Sequence, residues 1–336
     1  MKIRKRREMR LYAARTPQKR KVKNMNYRYI EFSFLSTDGK NNLHAEIYEP
    51  SEGEIRGVVQ ISHGMVDHIE RYTALADYLT GEGYVLAGND HLGHGKSVAT
   101  PDDFGFFAST DGYKYVIDDL HLMNEELHKR YPGKPVILLG HSMGSFLARL
   151  YAVKYASSLN GIIIHGTGGK NPAVPLGKAV VGILRAIKGE RHRSAFVKKL
   201  SFMGYNSKFD KSEGPDAWLT RAGELVADRP GDPRTNFIFT LAAYNDLFTM
   251  LGECNTKGWY ESYPKSLPTI LMAGGADPVG NYGDGIREVY DGLSKAGVVA
   301  LDVEIYEGAR HELFNETNRA EVFRDICDWL ATVCNQ

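Results

Sequence analysis

Four short runs in the first half of the chain are apolar almost from end to end: "GVVQISHG" (57–64), the start of "YVLAGNDHLGHG" (84–95), "PVILLGH" (135–141) and "GIIIHG" (161–166). None alternates with a period of two, so each describes a strand buried on both faces, and such strands need cover above and below. The cover stands between them. "RYTALADYLTGEG" (71–83), "GYKYVIDDLHLMNEELHKRYPG" (112–133) and "MGSFLARLYAVKYA" (143–156) carry apolar residues at helical spacing, the first two ending on Gly or Pro. Strand, helix, strand, helix in this style predicts an α/β fold with a mostly parallel central sheet and helices on both faces.

Ahead of these runs, "YRYIEFSFLS" (27–36) and "NLHAEIYEP" (42–50) alternate across a "TDGKN" turn, the signature of a hairpin. Behind them the alternation stops. Residues 168–235 hold helical pieces rich in Lys, Arg and apolar side chains, and "TNFIFTLAAYNDLFTMLGEC" (235–254) reads as one long helix. Strand logic returns with "PTILMAGGADPVG" (268–280) and "ALDVEIYEG" (300–308), with helices near 284–297 and 317–332. The expected organisation is a basic, disordered tail (1–24), a first core segment (25–167), a helical cap (168–235) inserted after the sixth strand, and a second core segment (236–336). An insertion at that point sits over the carboxyl ends of the strands, where open α/β sheets bind ligands.

With 43% hydrophobic and 25% charged residues, the chain can bury a core without covalent staples. Cys254, Cys327 and Cys334 stand in no metal or disulfide spacing, which fits a reducing, cytoplasmic setting. The tail holds eleven Lys or Arg and one Glu, a charge of +10, which leaves −9 for the rest of a chain whose total is +1. The acidic body argues against nucleic acid as a partner. The tail lacks the apolar stretch of a secretory signal and would suit peripheral contact with an anionic membrane.

The chemistry is expected at Gly140-His141-Ser142-Met143-Gly144. Here a buried strand ends, a helix begins, and a serine sits between two glycines in the G-x-S-x-G pattern of a nucleophile elbow. The glycines are required because the turn brings neighbouring backbone so close that a Cβ would clash. A serine hydroxyl needs a base, and the base needs an orienting carboxylate. His311 follows the last expected strand and Asp277 ends the one before it. The order Ser142, Asp277, His311 is that of α/β-hydrolases. Oxyanion donors are expected from the Met143 amide and from the loop "SHGMVDH", with Met65 as donor and His63 and Gly64 shaping the turn. His63 itself reads as a hydrogen-bonded structural residue. Asp67 and Arg71, four apart, read as a surface pair of little weight. His91 and His94 lack a third ligand, so no metal is expected, and no organic cofactor is implied.

The strings "HGMVDHIERYTALADYL", "DHLGHGKS", "GHSMGS", "GGADPVG" and "HELFNE" resemble the monoacylglycerol lipase and lysophospholipase group of α/β-hydrolases, often labelled serine aminopeptidase-like. The resemblance covers residues 27–165 and 268–332. It implies an α/β-hydrolase fold, a triad at Ser142, Asp277 and His311, oxyanion donors at Met65 and Met143, and a small-molecule or lipid ester as substrate. Asp67 stands where that group usually has Glu. Peptidase, thioesterase and acyltransferase chemistry share the fold, and Glu213 or Asp216 in the cap could hold a substrate ammonium. A non-catalytic receptor on this fold would typically lack a triad member, and none is missing here.

Overall fold

The computed structural model describes residues 11–12 and 27–335. The nine strands of the described residues are β1 (Leu11–Tyr12), β2 (Tyr27–Leu35), β3 (Asn42–Pro50), β4 (Gly57–Ser62), β5 (Tyr84–Asn89), β6 (Val136–His141), β7 (Gly161–His165), β8 (Thr269–Gly274) and β9 (Leu301–Tyr306). They form one sheet in the order β1-β2-β3-β5-β4-β6-β7-β8-β9. Pairing is parallel from β5 through β9 and antiparallel at the β1, β2 and β3 end. Most of the tail, with the disorder and membrane contact expected of it, lies outside the described residues. Leu11 and Tyr12 pair with Phe34 and Ser33. Without them β2 would leave an open edge of unpaired backbone groups that a passing segment can fill.

The helices are α1 (Thr73–Gly81), α2 (Gly112–Arg130), α3 (Met143–Tyr155), α4 (Val174–Lys188), α5 (Ala195–Ser201), α6 (Leu241–Glu253), α7 (Lys257–Ser262), α8 (Asp284–Lys295) and α9 (Arg319–Cys334). Successive residues of the parallel strands feed opposite faces. Val58, Val85, Leu138 and Ile162 join one core with α2, α3 and α8, while Val59, Leu86, Leu139 and Ile163 join the other with α1 and α9. The continuous apolar runs are thus fully buried, as two-sided cover demands.

Two local expectations are corrected. β3 is buried from Leu43 to Glu49 on both faces, because it lies between β2 and β5 under α1, so its alternation does not mark a solvent side. The long helix expected from residue 235 begins only at Leu241. The Thr240 side chain accepts a hydrogen bond from the Ala243 amide and caps it, and Thr240 bridges to Arg193 in extended form. Before the cap, Phe237 and Phe239 stack with each other, Phe237 on Phe104 and Phe239 edge-on to Phe107. Between β7 and β8, α4 packs on α6 with Val174, Gly177 and Val181 buried. Of its apolar residues, Val180 and Leu184 are half-buried, while Leu176, Ile183 and Ile187 face solvent, at 65%, 62% and 72% exposed. No helix among the described residues is long and apolar enough to cross a membrane.

Candidate active site

The turn from β6 into α3 forces Ser142 to φ 54°, ψ −120°, a region that side chains adopt only under constraint. The constraint is close packing. A Cβ on Gly144 would fall on the Ser62 carbonyl oxygen at the end of β4, and one on Gly140 would overlap the Gly144 carbonyl. Gly144→Ala should therefore destabilise the fold by at least about 3 kcal/mol, read from chemical denaturation, since nothing but backbone can move aside. Parent-like stability would contradict this packing.

Around this turn the chain assembles a polar path from three distant segments. Asp277 follows β8 and is fully buried. Its Oδ2 lies 2.8 Å from His311 Nδ1, and its Oδ1 accepts the Val279 amide at 2.8 Å. A carboxylate only accepts, so Nδ1 carries the proton. Nε2 is then an acceptor, and the Ser142 hydroxyl, 2.8 Å away, donates to it. Against Ser142 lies the loop after β4. A Cβ on Gly64 would come 3.3 Å from the Ser142 Cβ. The Met65 and Met143 amides donate to no described protein group, whereas their neighbours Gly64 and Val66 donate to Asp67 and His94. The Met143 amide also opens α3, where the helix dipole favours negative charge.

The expected structural histidines surround this loop. His63 donates from Nδ1 to the Gly64 carbonyl at 2.9 Å and accepts the His91 amide on Nε2 at 3.0 Å. Burial pushes its pKa down to about 4. His94 accepts the Val66 amide on Nε2, and burial takes it to about 3. The Nδ1 of His141, the variable residue of the elbow, lies 2.7 Å from that of His165, so one ring donates and the other accepts as a neutral imidazole. Burial, reinforced by His311, lowers His141 to about 3. Among the described residues no cluster of His, Cys, Asp and Glu could hold a metal ion.

These shifts fix a sign. Each folded pKa lies below the ordinary histidine value of 6.5. The unfolded chain therefore binds more protons below pH 6.5, and stability is lost as pH falls toward 4. Asp119 and Asp246, raised by burial to about 7, and Asp90, raised to about 6, act in the opposite direction, but burial also lowers His68, His91 and His165, so six buried histidines stand against three aspartates. The thermal midpoint should be lower at pH 5 than at pH 7 in scanning calorimetry; a higher midpoint at pH 5 would refute this.

The expectation for Asp67 and Arg71 is corrected. They pair at 2.9 Å, yet Asp67 is buried and Arg71 largely so, because Glu312, contributed from the far end of the chain, takes the other side of the guanidinium at 2.6 Å. Arg229 reaches the second Glu312 oxygen at 3.1 Å, and Tyr72 donates to Asp67 at 2.9 Å. Sequence reasoning missed Glu312. It stands beside His311 in "HELFNE", but its partners come from elsewhere in the chain. Of the two cap carboxylates, Glu213 is held by both terminal nitrogens of Arg310, at 2.7 and 3.2 Å. Asp216 is half-buried, and its carbonyl accepts the Leu219 amide at 2.9 Å.

A mostly parallel sheet covered on both faces, with an interrupted strand–helix series and this elbow, defines an α/β-hydrolase. A family model described as serine aminopeptidase, S33, matches residues 53–318. The chain belongs to that family, among its monoacylglycerol lipase-like members. It is 27% identical to the monoglyceride lipase homolog of Monkeypox virus, over 82% of this chain and 89% of the viral one. It is 24% identical to the monoacylglycerol lipase of Mycolicibacterium smegmatis, over 90% and 97%. Among solved structures, a thermostable carboxyl esterase from Bacillus coagulans in complex with glycerol aligns with a TM-score of 0.84 at 30% identity, over 91% of this chain and 99% of that one.

Proposed function

We propose that this hydrolase cleaves carboxylic esters through an acyl-enzyme on Ser142. The observation that carries the reading is the unbroken path Ser142–His311–Asp277 beside two unengaged amides. His311 Nε2 takes the hydroxyl proton as Ser142 Oγ attacks the ester carbonyl, and Asp277 stabilises the imidazolium. The Met65 and Met143 amides receive the oxyanion. The ester C–O bond breaks as His311 protonates the leaving alcohol, and water, deprotonated by His311, then releases the acid. Labelling by a serine-directed phosphonate, lost in Ser142→Ala, tests the assignment and separates an enzyme from a receptor; an unlabelled parent would remove it.

The substrate is of the monoacylglycerol or lysophospholipid type, in keeping with the named relatives. Residues 168–235 act as the cap over the site. The solvent-facing Leu176, Ile183 and Ile187 of α4 suit a surface that meets lipid tails. Activity on p-nitrophenyl esters and monoacylglycerols should rise with acyl length; a flat or falling series from short esters upward would contradict a lipid substrate. The aminopeptidase reading loses ground because Arg310 already neutralises Glu213, one of the two candidates for holding a substrate ammonium.

A further inference from the structure

The loop that carries His311 is held less by the sheet than by the insertion. Ala309 is tied to the core by the Ala276 amide. Beyond it, the His311 amide donates to the Trp218 carbonyl at 3.4 Å and the Glu312 amide to the Leu219 carbonyl at 2.7 Å. The Trp218 ring lies over the His311 imidazole, with centroids 5.1 Å apart. Both ends of the loop then meet at Glu316, which is 1% exposed. One of its oxygens accepts the Arg310 amide at 2.9 Å and the Arg221 amide at 3.1 Å, and the other accepts Arg221 Nε at 2.9 Å.

We infer that Arg221 and Glu316 are positioning residues for His311, and that the stretch from Trp218 to Arg221 is a fixed brace within the insertion. The inference rests on the hydrolase reading above. The geometry gives the reason. The Ser142–His311 hydrogen bond spans two segments that share no secondary structure, so its length depends on where the loop sits. Glu316 closes the loop into a ring, and Arg221 fastens that ring to the two carbonyls that receive the His311 and Glu312 amides. Unfastened at Glu316, the loop keeps the Asp277 bond to His311 and the Glu312 pairs with Arg71 and Arg229, but loses the tie that closes it and fixes the Trp218–Arg221 stretch against it. A displacement of an ångström at a reacting group costs about a hundredfold in rate.

The test is Arg221→Met, at an exposed residue; the buried Glu316 carboxylate loses the guanidinium but keeps the backbone amides of residues 310, 221 and 317 as donors. The expected result is a fall in kcat of about tenfold to a hundredfold with KM nearly unchanged, partly restored in Arg221→Lys. Phosphonate labelling of Ser142 should slow in parallel. The downfield NMR resonance of the His311 Nδ1 proton, sharp in the parent, should broaden. Parent-like kcat and resonance would overturn the inference, as would a change confined to KM, which would move Arg221 to substrate binding. Should Arg221→Met unfold by circular dichroism, Glu316→Gln carries the same readouts. A parent without Ser142-dependent labelling would sink the hydrolase reading alone, and the resonance would still decide the brace.

Discussion

Replacing Ser142 by alanine should lower kcat for ester hydrolysis by up to about a million-fold and leave the fold intact. The hydroxyl has one side-chain partner, His311 Nε2, so its removal orphans no other buried polar group. The Cβ remains, and with it the packing against the Gly64 loop. The same strained backbone angle is kept, so neither strain nor its release obscures the comparison. What survives should be the weak catalysis that oxyanion donors and binding supply without a nucleophile. The measurements are kcat, phosphonate labelling and the thermal midpoint, taken together. Undiminished hydrolysis would remove Ser142 from the mechanism, whatever the geometry around it.

The second large effect is on stability. Arg71→Met should cost about 3–5 kcal/mol at neutral pH, because it leaves Asp67 buried without its cation and Glu312 with Arg229 alone. Both carboxyls are pushed up by burial, yet the arginines prevail. Arg71 holds Asp67 well below the usual carboxylate range, and Arg71 with Arg229 takes Glu312 down to about 2. For a carboxyl depressed on folding, the contribution is present above its unfolded value of 4.5 and is lost as pH falls toward 2. The gap between parent and variant in urea denaturation should therefore be widest near neutrality and close below pH 4.5. A gap that is absent at pH 7, or that widens in acid, would show that the network does not carry the charge assigned to it. The variant should also lose activity beyond its loss of fold, since Asp67 accepts the Gly64 amide and Glu312 adjoins His311.

Much of this was legible in the chain, and the reason is periodicity. Continuous apolar runs of four to eight residues can be satisfied only by a covered sheet, so the order of strands and helices followed. The elbow was legible because its chemistry is local: a strand end, a serine, two glycines and a helix start lie within five residues. Asp277 and His311 could be nominated because each follows a strand, and strand ends of one parallel sheet share a rim. The misreadings share a different cause. The alternation of β3 gave no hint that α1 would cover its other face. The helix at 241 lost its first turn to Thr240, whose cap competes with the apolar pattern before it.

Which residues touch across the rim was decided only by the folded chain. Asp67 and Arg71 look like an ordinary surface pair until Glu312, 241 residues away from Arg71, closes over them and removes the water. Glu316 looks like one acid among many until the insertion brings Arg221 to it across 95 residues. Sequence determined the fold class and nominated the nucleophile, base and acid, because hydrophobic period and turn chemistry act over a few residues. Tertiary structure alone decided burial, and with it the charge state of the carboxylates and histidines around the site, because desolvation depends on everything packed nearby regardless of its distance along the chain.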